Sequence, residues 1–412
     1  MQGADPLGII VVGGTYAEQC IFPRTSEIFG SGLRAACAIA SSGCEANVAF
    51  HSPLTPELER HTRIKAKLYG FAVVPTVTEI GHEFSYLHPL SGGYLQPEPA
   101  SQLPTISVSA PVVLQFGMVN AKCVAHGTRV IFDPQSPLSP AHFAELGSSA
   151  EHLAIVLNRQ EATRLSGKID IGEAAKTIQA SETAEVVVVK DGPRGALLLY
   201  DGTEHYIPVF DAKETYLVGS GDVFSAIFAL EWGVKKTDPV TAANAASLST
   251  ALWCATRDFP LPKDPSEVEA KAQRLDSATG IPTIYLASPF FSVAQLWLLN
   301  DVRHILQDMG VKVFSPYHDV GLARDPLHNV AQDDLKGMLG CQAVLALLDG
   351  SDPGTIFELG YARNHGIPVI GFRSEPATEN ADTMLVGTGC LITGDLGNAV
   401  YKAIWAATAP KC

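Results

Sequence analysis

Two short stretches hold residues whose types and spacing suit chemistry. In DGSDPGTIFELGYA, residues 349–362, Glu358 stands among Ile356, Phe357, Leu359 and Tyr361, where a charge is costly to bury. Cleavage of an N-glycosidic bond develops positive charge on the sugar. A carboxylate held nearby could stabilise that state or bond to the anomeric carbon, while a second acid protonates or holds the leaving base. Asp352 precedes Glu358 across a turn containing Gly354 and Thr355, and such a turn could bring both carboxylates to one pocket. The plainer reading is that Asp352 caps the helix and Glu358 is solvated.

The second stretch is GSGDVFSAIFAL, residues 219–230. Two glycines around a serine permit an unusual turn, and the helix that follows leaves free amides at its start, a ready anion site. Asp222 there could take a proton from an attacking hydroxyl while the amides of Ser220 and Gly221 stabilise a moving phosphoryl group. The alternative is an ordinary N-cap aspartate after a glycine turn.

The elements that must position these residues are legible as apolar runs. GIIVVGG (8–14), PVVLQFGM (111–118), RVIFDP (129–134), LAIVLN (153–158) and EVVVVKDG (185–192) are rich in Val and Ile and do not alternate. This fits strands covered on both faces of a parallel sheet in an α/β domain. Residues 76–104 alternate short strands with Gly and Pro and predict a small sheet beside that core. After Trp253 the pattern breaks into a proline-rich, charged segment, a domain boundary with a short helix inside the linker. A second series then begins with TIYLASP and predicts a smaller doubly wound, flavodoxin-like parallel sheet. The expected division is 1–262, a linker 263–280, and 281–412.

A chain of 412 residues with 46% hydrophobic and 17% charged residues is globular and longer than one core supports. Its formal charge of -14 argues against a nucleic-acid partner. No run is long and apolar enough to span a bilayer, and MQGADPLGIIVVGG has no basic segment before its strand. A soluble, cytoplasmic protein with no membrane partner is expected. The 8 cysteines form no CxxC pair or zinc-like spacing, so reduced thiols are expected.

With NRQE (158–161), KDGPRG (190–195), FDPQ (132–135) and ANAAS (243–247), the GSGD stretch resembles the PfkB carbohydrate kinases, the ribokinase-like sugar and nucleoside kinases, over roughly residues 8–262. The resemblance implies ATP and Mg²⁺ as cofactors. It places the anion hole on Gly219, Ser220 and Gly221, the base on Asp222, and metal and phosphate organisation on Asn158 and Glu161. The nucleotide would be lined by Lys190, Gly192, Gly195 and Asn244. FGSGLRAACAIASSG (29–43) is similar to the early glycine motif on the sugar side, with Gly30 and Gly32 letting backbone approach the ligand. Three residues depart from the family pattern. Glu18 stands where an aspartate usually holds sugar hydroxyls, Tyr216 replaces an acidic residue, and Arg34 replaces a lysine or asparagine. Glu18 and Arg34 are therefore expected to shape the acceptor pocket; TVTEIGHEFSYLHPLSGGYL (76–95) would close over it, with Tyr86 and His88 either touching the acceptor or only packing.

TIYLASPFFSVAQ (283–295), VFSPYHDVG (313–321), NVAQDDLKGML (329–339) and the Glu358 stretch together resemble the nucleoside 2-deoxyribosyltransferases over about residues 281–412. The resemblance makes Glu358 the nucleophile of a covalent glycosyl intermediate, with Asp352 and Asp334 (or the adjacent Asp333) binding and protonating the base. Tyr285 would position the nucleophile. Phe290 and Phe291 would wall the base, and Asp349, Gly354 and Thr355 would line the substrate. Either Asn380 or Asp382 would be lent to a neighbouring subunit, so a homo-oligomer through this domain is expected, with no cofactor. His318, on a loop at the same end of the sheet, is either solvated or a base contact.

The combined expectation is a bifunctional enzyme of nucleosides, nucleobases or pentoses: (deoxy)ribosyl transfer in the second half and ATP-dependent phosphorylation in the first. The alternative is a nucleoside or nucleoside 5′-monophosphate N-glycosidase whose kinase-like half only binds a nucleotide.

Overall fold

The structure, a computed structural model, describes residues 8–44, 46–100, 102–136, 139–211, 214–263, 268, 272–275, 280–321, 327–375 and 382–409. The chain divides into two compact units, one comprising residues 1–87 and 91–274 and the other 88–90 and 275–412. Of the helix expected in the linker, Val268 alone is described: it is helical, and its carbonyl accepts from the Ala272 amide (2.9 Å).

The first unit is built on a nine-stranded sheet. Across it run the strands Thr203–Ile207, Ala196–Tyr200, Val186–Lys190, Ser149–Asn158, Lys122–Asp133, Thr105–Phe116, Gly8–Val12, Asn47–Leu54 and Ala72–Val77. The pairs from Ala72–Val77 through Val186–Lys190 are parallel, and the last two are antiparallel. The apolar runs mark these strands but undercount them. TISVSA and KCVAHG, ahead of the expected strands, also join the ladder with alternating buried and exposed residues, which a search for unbroken apolar runs passes over. No helix separates this pair: residues 117–121 alone connect them. Glu83–Tyr86 and Tyr94–Gln96 form a smaller sheet with Ala17–Cys20 and Thr25–Ile28, and Glu18 lies on one of its strands.

The helix Ser220–Phe228 starts from Gly219, whose φ of 86° suits glycine. Its far side is apolar: Val223, Ile227 and Phe228 are buried in one cluster with Leu33 and Trp253. That packing fixes the helix start, and with it Asp222.

The second unit is a five-stranded parallel sheet in the order Lys312–Phe314, Thr283–Ala287, Ala343–Leu347, Val369–Phe372, Leu391–Thr393. This is the 2-1-3-4-5 winding whose switch point, outside the carboxyl ends of the first and third strands in sequence, is the usual ligand crevice. Successive residues of TIYLA face opposite ways. Ile284 and Leu286 pack with Leu299, Val302 and Ala399 on one face. Tyr285 and Ala287 pack with Met338, Leu359 and Ala362 on the other. Both faces are covered, which explains the unalternating sequence, and the parity of the strand sends Tyr285 toward the helix that carries Glu358.

Leu345 is fully buried on the central strand. Leu345→Ala is expected to destabilise the second unit by about 2–5 kcal/mol, read in calorimetry as a lowered melting transition for that unit only.

Candidate active sites

In the second unit the helix Pro353–Asn364 begins at Asp352, whose Oδ2 accepts from the Thr355 amide (2.7 Å) and hydroxyl (3.0 Å). The capping reading of Asp352 therefore holds, and Thr355 is the group it binds. Gly354 leaves room for that carboxylate: a Cβ there would lie 3.0 Å from Asp352 Oδ2. Six residues on, Glu358 is not solvated. Its Oε1 accepts a 2.6 Å hydrogen bond from the Tyr285 hydroxyl. Burial pushes its carboxyl up to about 7, against the pull of Tyr285 and with help from Asp334 and Asp352.

Tyr285 is held by a ring stacked on it, Phe314, with centroids 5.6 Å apart. Phe314 in turn lies over Gly337, where a Cβ would meet its Cζ at 2.1 Å. Neither Phe314 nor Gly337 was singled out by sequence reasoning, although both lie in stretches it quoted. Asp334, on the helix Leu327–Leu339, is pushed up to about 6 by burial and then by Asp333. Its Oδ1 is buried with no hydrogen-bond partner.

Other expected contacts are placed differently. Asp349 accepts from the amides of Ser374 and Glu375 and from the Ser374 hydroxyl, so both its oxygens brace a turn and a substrate would have to displace them. Asp382 pairs with Arg373 at 2.7 Å, while Asn380 lies outside the described residues. Phe290 packs on Tyr317, whereas Phe291 is 73% exposed. His318 is partly exposed, and both of its ring nitrogens have partners, 3.0 Å from Ser315 Oγ and 3.0 Å from Asn300 Oδ1.

In the first unit Asp222 is buried and both of its oxygens are engaged. Arg34 Nη1 donates to Oδ2 (2.5 Å) and Gln135 Nε2 to Oδ1 (2.6 Å). The opposite edge of Arg34 is held by Glu18, which also accepts from the Gly30 amide (3.0 Å). Glu18 and Arg34, read from sequence as pocket residues, are thus paired with each other. Burial pushes the Glu18 carboxyl up against the attraction of Arg34. The guanidinium lies on Gly219, where a Cβ would sit 2.2 Å from its Cζ.

The early glycines also serve the chain itself. A Cβ on Gly32 would meet Gly13 backbone at 2.6 Å, so Gly32 admits a strand end rather than a ligand, and the Gly30 amide is spent on Glu18. The Ser220 amide donates to the Leu217 carbonyl (3.0 Å) instead of facing a phosphoryl group. The Lys190 ammonium stands 3.2 Å from where a Gly221 Cβ would be, and is tied to Asp133 (2.8 Å). Gly192 opens the turn Gly192–Arg194, while Gly195 is required by the Ile207 carbonyl, 2.0 Å from its would-be Cβ. The Asn244 amide bonds back to Val240 of its own helix.

Asn158 and Glu161 form a capping box, each side chain accepting from the other's amide. Burial and the nearby Asp133 push Glu161 up to about 7. As placed, Asn158 Oδ1 and Glu161 Oε2 are taken by the box and Asp133 Oδ2 by Lys190, while Asp133 Oδ1 is buried with no hydrogen-bond partner. Among the described residues no group of three His, Cys, Asp or Glu side chains could hold a metal ion. No described helix is long and apolar enough to cross a membrane.

Comparison with known proteins assigns a class to each unit. Residues 120–257 match the family model of the pfkB family carbohydrate kinases, and residues 284–389 that of nucleoside 2-deoxyribosyltransferase. The chain carries a PfkB carbohydrate kinase domain of ribokinase-like fold followed by a nucleoside 2-deoxyribosyltransferase domain of flavodoxin-like fold. It is 27% identical over 129 residues to an inositol 3-kinase of Oryza sativa subsp. japonica, 31% of this chain and 32% of that one. The match thus spans about a third of that relative's length. A fructokinase from Vibrio cholerae, solved with fructose, ADP and calcium ion, superposes with a TM-score of 0.50 at 14% identity, over 64% of this chain and 98% of the other. Ribokinase from Thermotoga maritima gives 0.47 at 17% identity, with coverage of 64% and 98%. At such identities the likeness is one of fold.

The raised Glu358 has a consequence for stability. An unfolded glutamate loses its proton near 4.5 and the folded one near 7, so the folded state binds more protons between these values and stability falls as pH rises through that window. Glu358→Gln is expected to raise the second unit's melting temperature by a few degrees near pH 8, and to change it little near pH 4, in paired thermal melts.

Proposed function

We propose that the second unit cleaves N-glycosidic bonds of nucleosides and transfers the (deoxy)ribosyl group through Glu358. The observation that carries this is the Tyr285–Glu358 hydrogen bond at the switch of a parallel sheet, in a segment matching the transferase family. Glu358 Oε attacks C1′, a C1′–O bond forms, and the C1′–N bond breaks with its electron pair going to the base. Asp334 is the acid better suited to donate the accompanying proton: it is raised to about 6, whereas Asp352 Oδ2 is held by the helix cap. A second base, or water, then releases the sugar, and two inversions retain configuration. Tyr285 keeps the nucleophile aimed and favours its ionised form.

For the first unit we propose binding of ATP with Mg²⁺, the metal arriving on the nucleotide phosphates, and phosphorylation of a sugar or nucleoside hydroxyl with Asp222 as base. A reading in which this unit only binds nucleotide has one observation in its favour, the engagement of both Asp222 oxygens.

The transferase reading is tested by incubating a pyrimidine deoxynucleoside with free purine and following both nucleosides by chromatography. Exchange is expected, with retained anomeric configuration. Glu358→Ala should lower it by about 10³-fold or more, and Tyr285→Phe by roughly 10- to 100-fold in kcat. Exchange that survives Glu358→Ala rejects the mechanism. Free sugar without a new nucleoside assigns the site to hydrolysis. Because Glu358 must be ionised and Asp334 protonated, the pH–rate profile should be bell-shaped, with its two limbs near 6 and 7.

A further inference from the structure

Arg34 is 1% exposed, and its guanidinium lies within 5.0 Å of the Phe29 ring centre and 5.6 Å of that of Trp253. It is too enclosed to read a ligand from solvent, yet it holds the group that the phosphorylation reading needs. Nη2 donates to Glu18 Oε2. Nη1 is shared unevenly, 2.5 Å from Asp222 Oδ2 and 3.4 Å from Glu18 Oε1. The Gly30 amide, bonded to that same Glu18 oxygen at 3.0 Å, fixes the carboxylate's orientation. Gln135 does the same for Asp222 from its other oxygen.

We propose that Arg34 is a latch on Asp222 with two seats. In the first, the one described, Nη1 closes on Asp222. In the second, Nη1 turns to Glu18 Oε1 and completes the two-pronged pair that Nη2 has begun, a favoured geometry for guanidinium and carboxylate. The charge on Arg34 stays compensated in both seats, so the movement leaves no bare buried cation. Once released, Asp222 Oδ2 accepts the proton of an acceptor hydroxyl. The acceptor oxygen then bonds to the γ-phosphorus and the bridging oxygen leaves with ADP.

The inference rests on reading Asp222 as the base. Its consequence is that, without an acceptor, Asp222 does not activate water and bound ATP is spared. Glu18 and Arg34 are accordingly positioning residues, and their departures from the family pattern are one compensated change.

The full chain is assayed with ATP and Mg²⁺, without added acceptor, for ADP formation, and by calorimetry for ADP binding. Because Arg34→Met alone leaves two buried carboxylates unpaired, the paired variant Glu18→Gln/Arg34→Met is tested beside it. The expected result is at least about tenfold faster acceptor-free ADP formation than wild type, with the ADP Kd within about twofold, and loss of the gain when Asp222→Asn is added. Equal rates in wild type and variants that bind ADP overturn the latch, as does a gain that survives Asp222→Asn. Asp222-dependent phosphorylation of any sugar, cyclitol or nucleoside by the wild-type chain then keeps the base reading even where the latch fails. ADP binding with no turnover in any variant rejects both and leaves a nucleotide-binding domain.

Discussion

The hydrogen bond from Tyr285 to Glu358 is the contact around which the second unit is arranged. A carboxylate in apolar surroundings is costly, and its rise to about 7 corresponds to roughly 3 kcal/mol of preference for the neutral form. That net figure already contains the opposing pull of one neutral donor at 2.6 Å. A cation would offset more, and would also hold the electrons a nucleophile must give. Tyrosine is the weaker partner, which suits the nucleophilic role proposed for Glu358. For the hydroxyl to arrive, the strand must present residue 285 to the Met338–Leu359 face, and alternation along TIYLA does this without any special local geometry.

The first unit solves the same problem in the opposite way. Asp222 and Glu18 are buried beside a full positive charge on Arg34, and Asp133 beside Lys190. Ion pairs of this kind gain little net stability over apolar packing but are expensive to break from one side. They therefore fix geometry and restrain reactivity. A carboxylate with a neutral partner is poised, and one with a cationic partner is held.

Much of this was legible in sequence because it is local. The FELGYA segment announced a carboxylate among apolar residues, unbroken Val and Ile runs announced a covered parallel sheet, and SDPGT announced a helix cap. The Arg34–Asp222 pair was not legible: 188 positions separate the partners, and Arg34 and Glu18 each looked like an independent change in the pocket. The same holds for Asp349 and His318, polar residues at the right end of the sheet whose hydrogen bonds are claimed by Ser374 and Glu375, and by Asn300 and Ser315. Residue type and spacing indicate what a side chain can do. Only its partners decide whether it is available.

Glycine shows the same distinction in backbone terms. Motif glycines read naturally as openings for a ligand, yet Gly219 gives its missing Cβ to the Arg34 guanidinium and Gly337 to the Phe314 ring. In both cases the space is filled by a side chain of the chain itself, and that side chain bears on a carboxylate of the candidate site, directly in Arg34 and through Tyr285 in Phe314. An alanine at either position would leave the carboxylate's own neighbours unchanged in sequence and still displace the group that holds it. The glycine requirement at these sites thus follows from the demands of Asp222 and Glu358, one layer removed from any substrate.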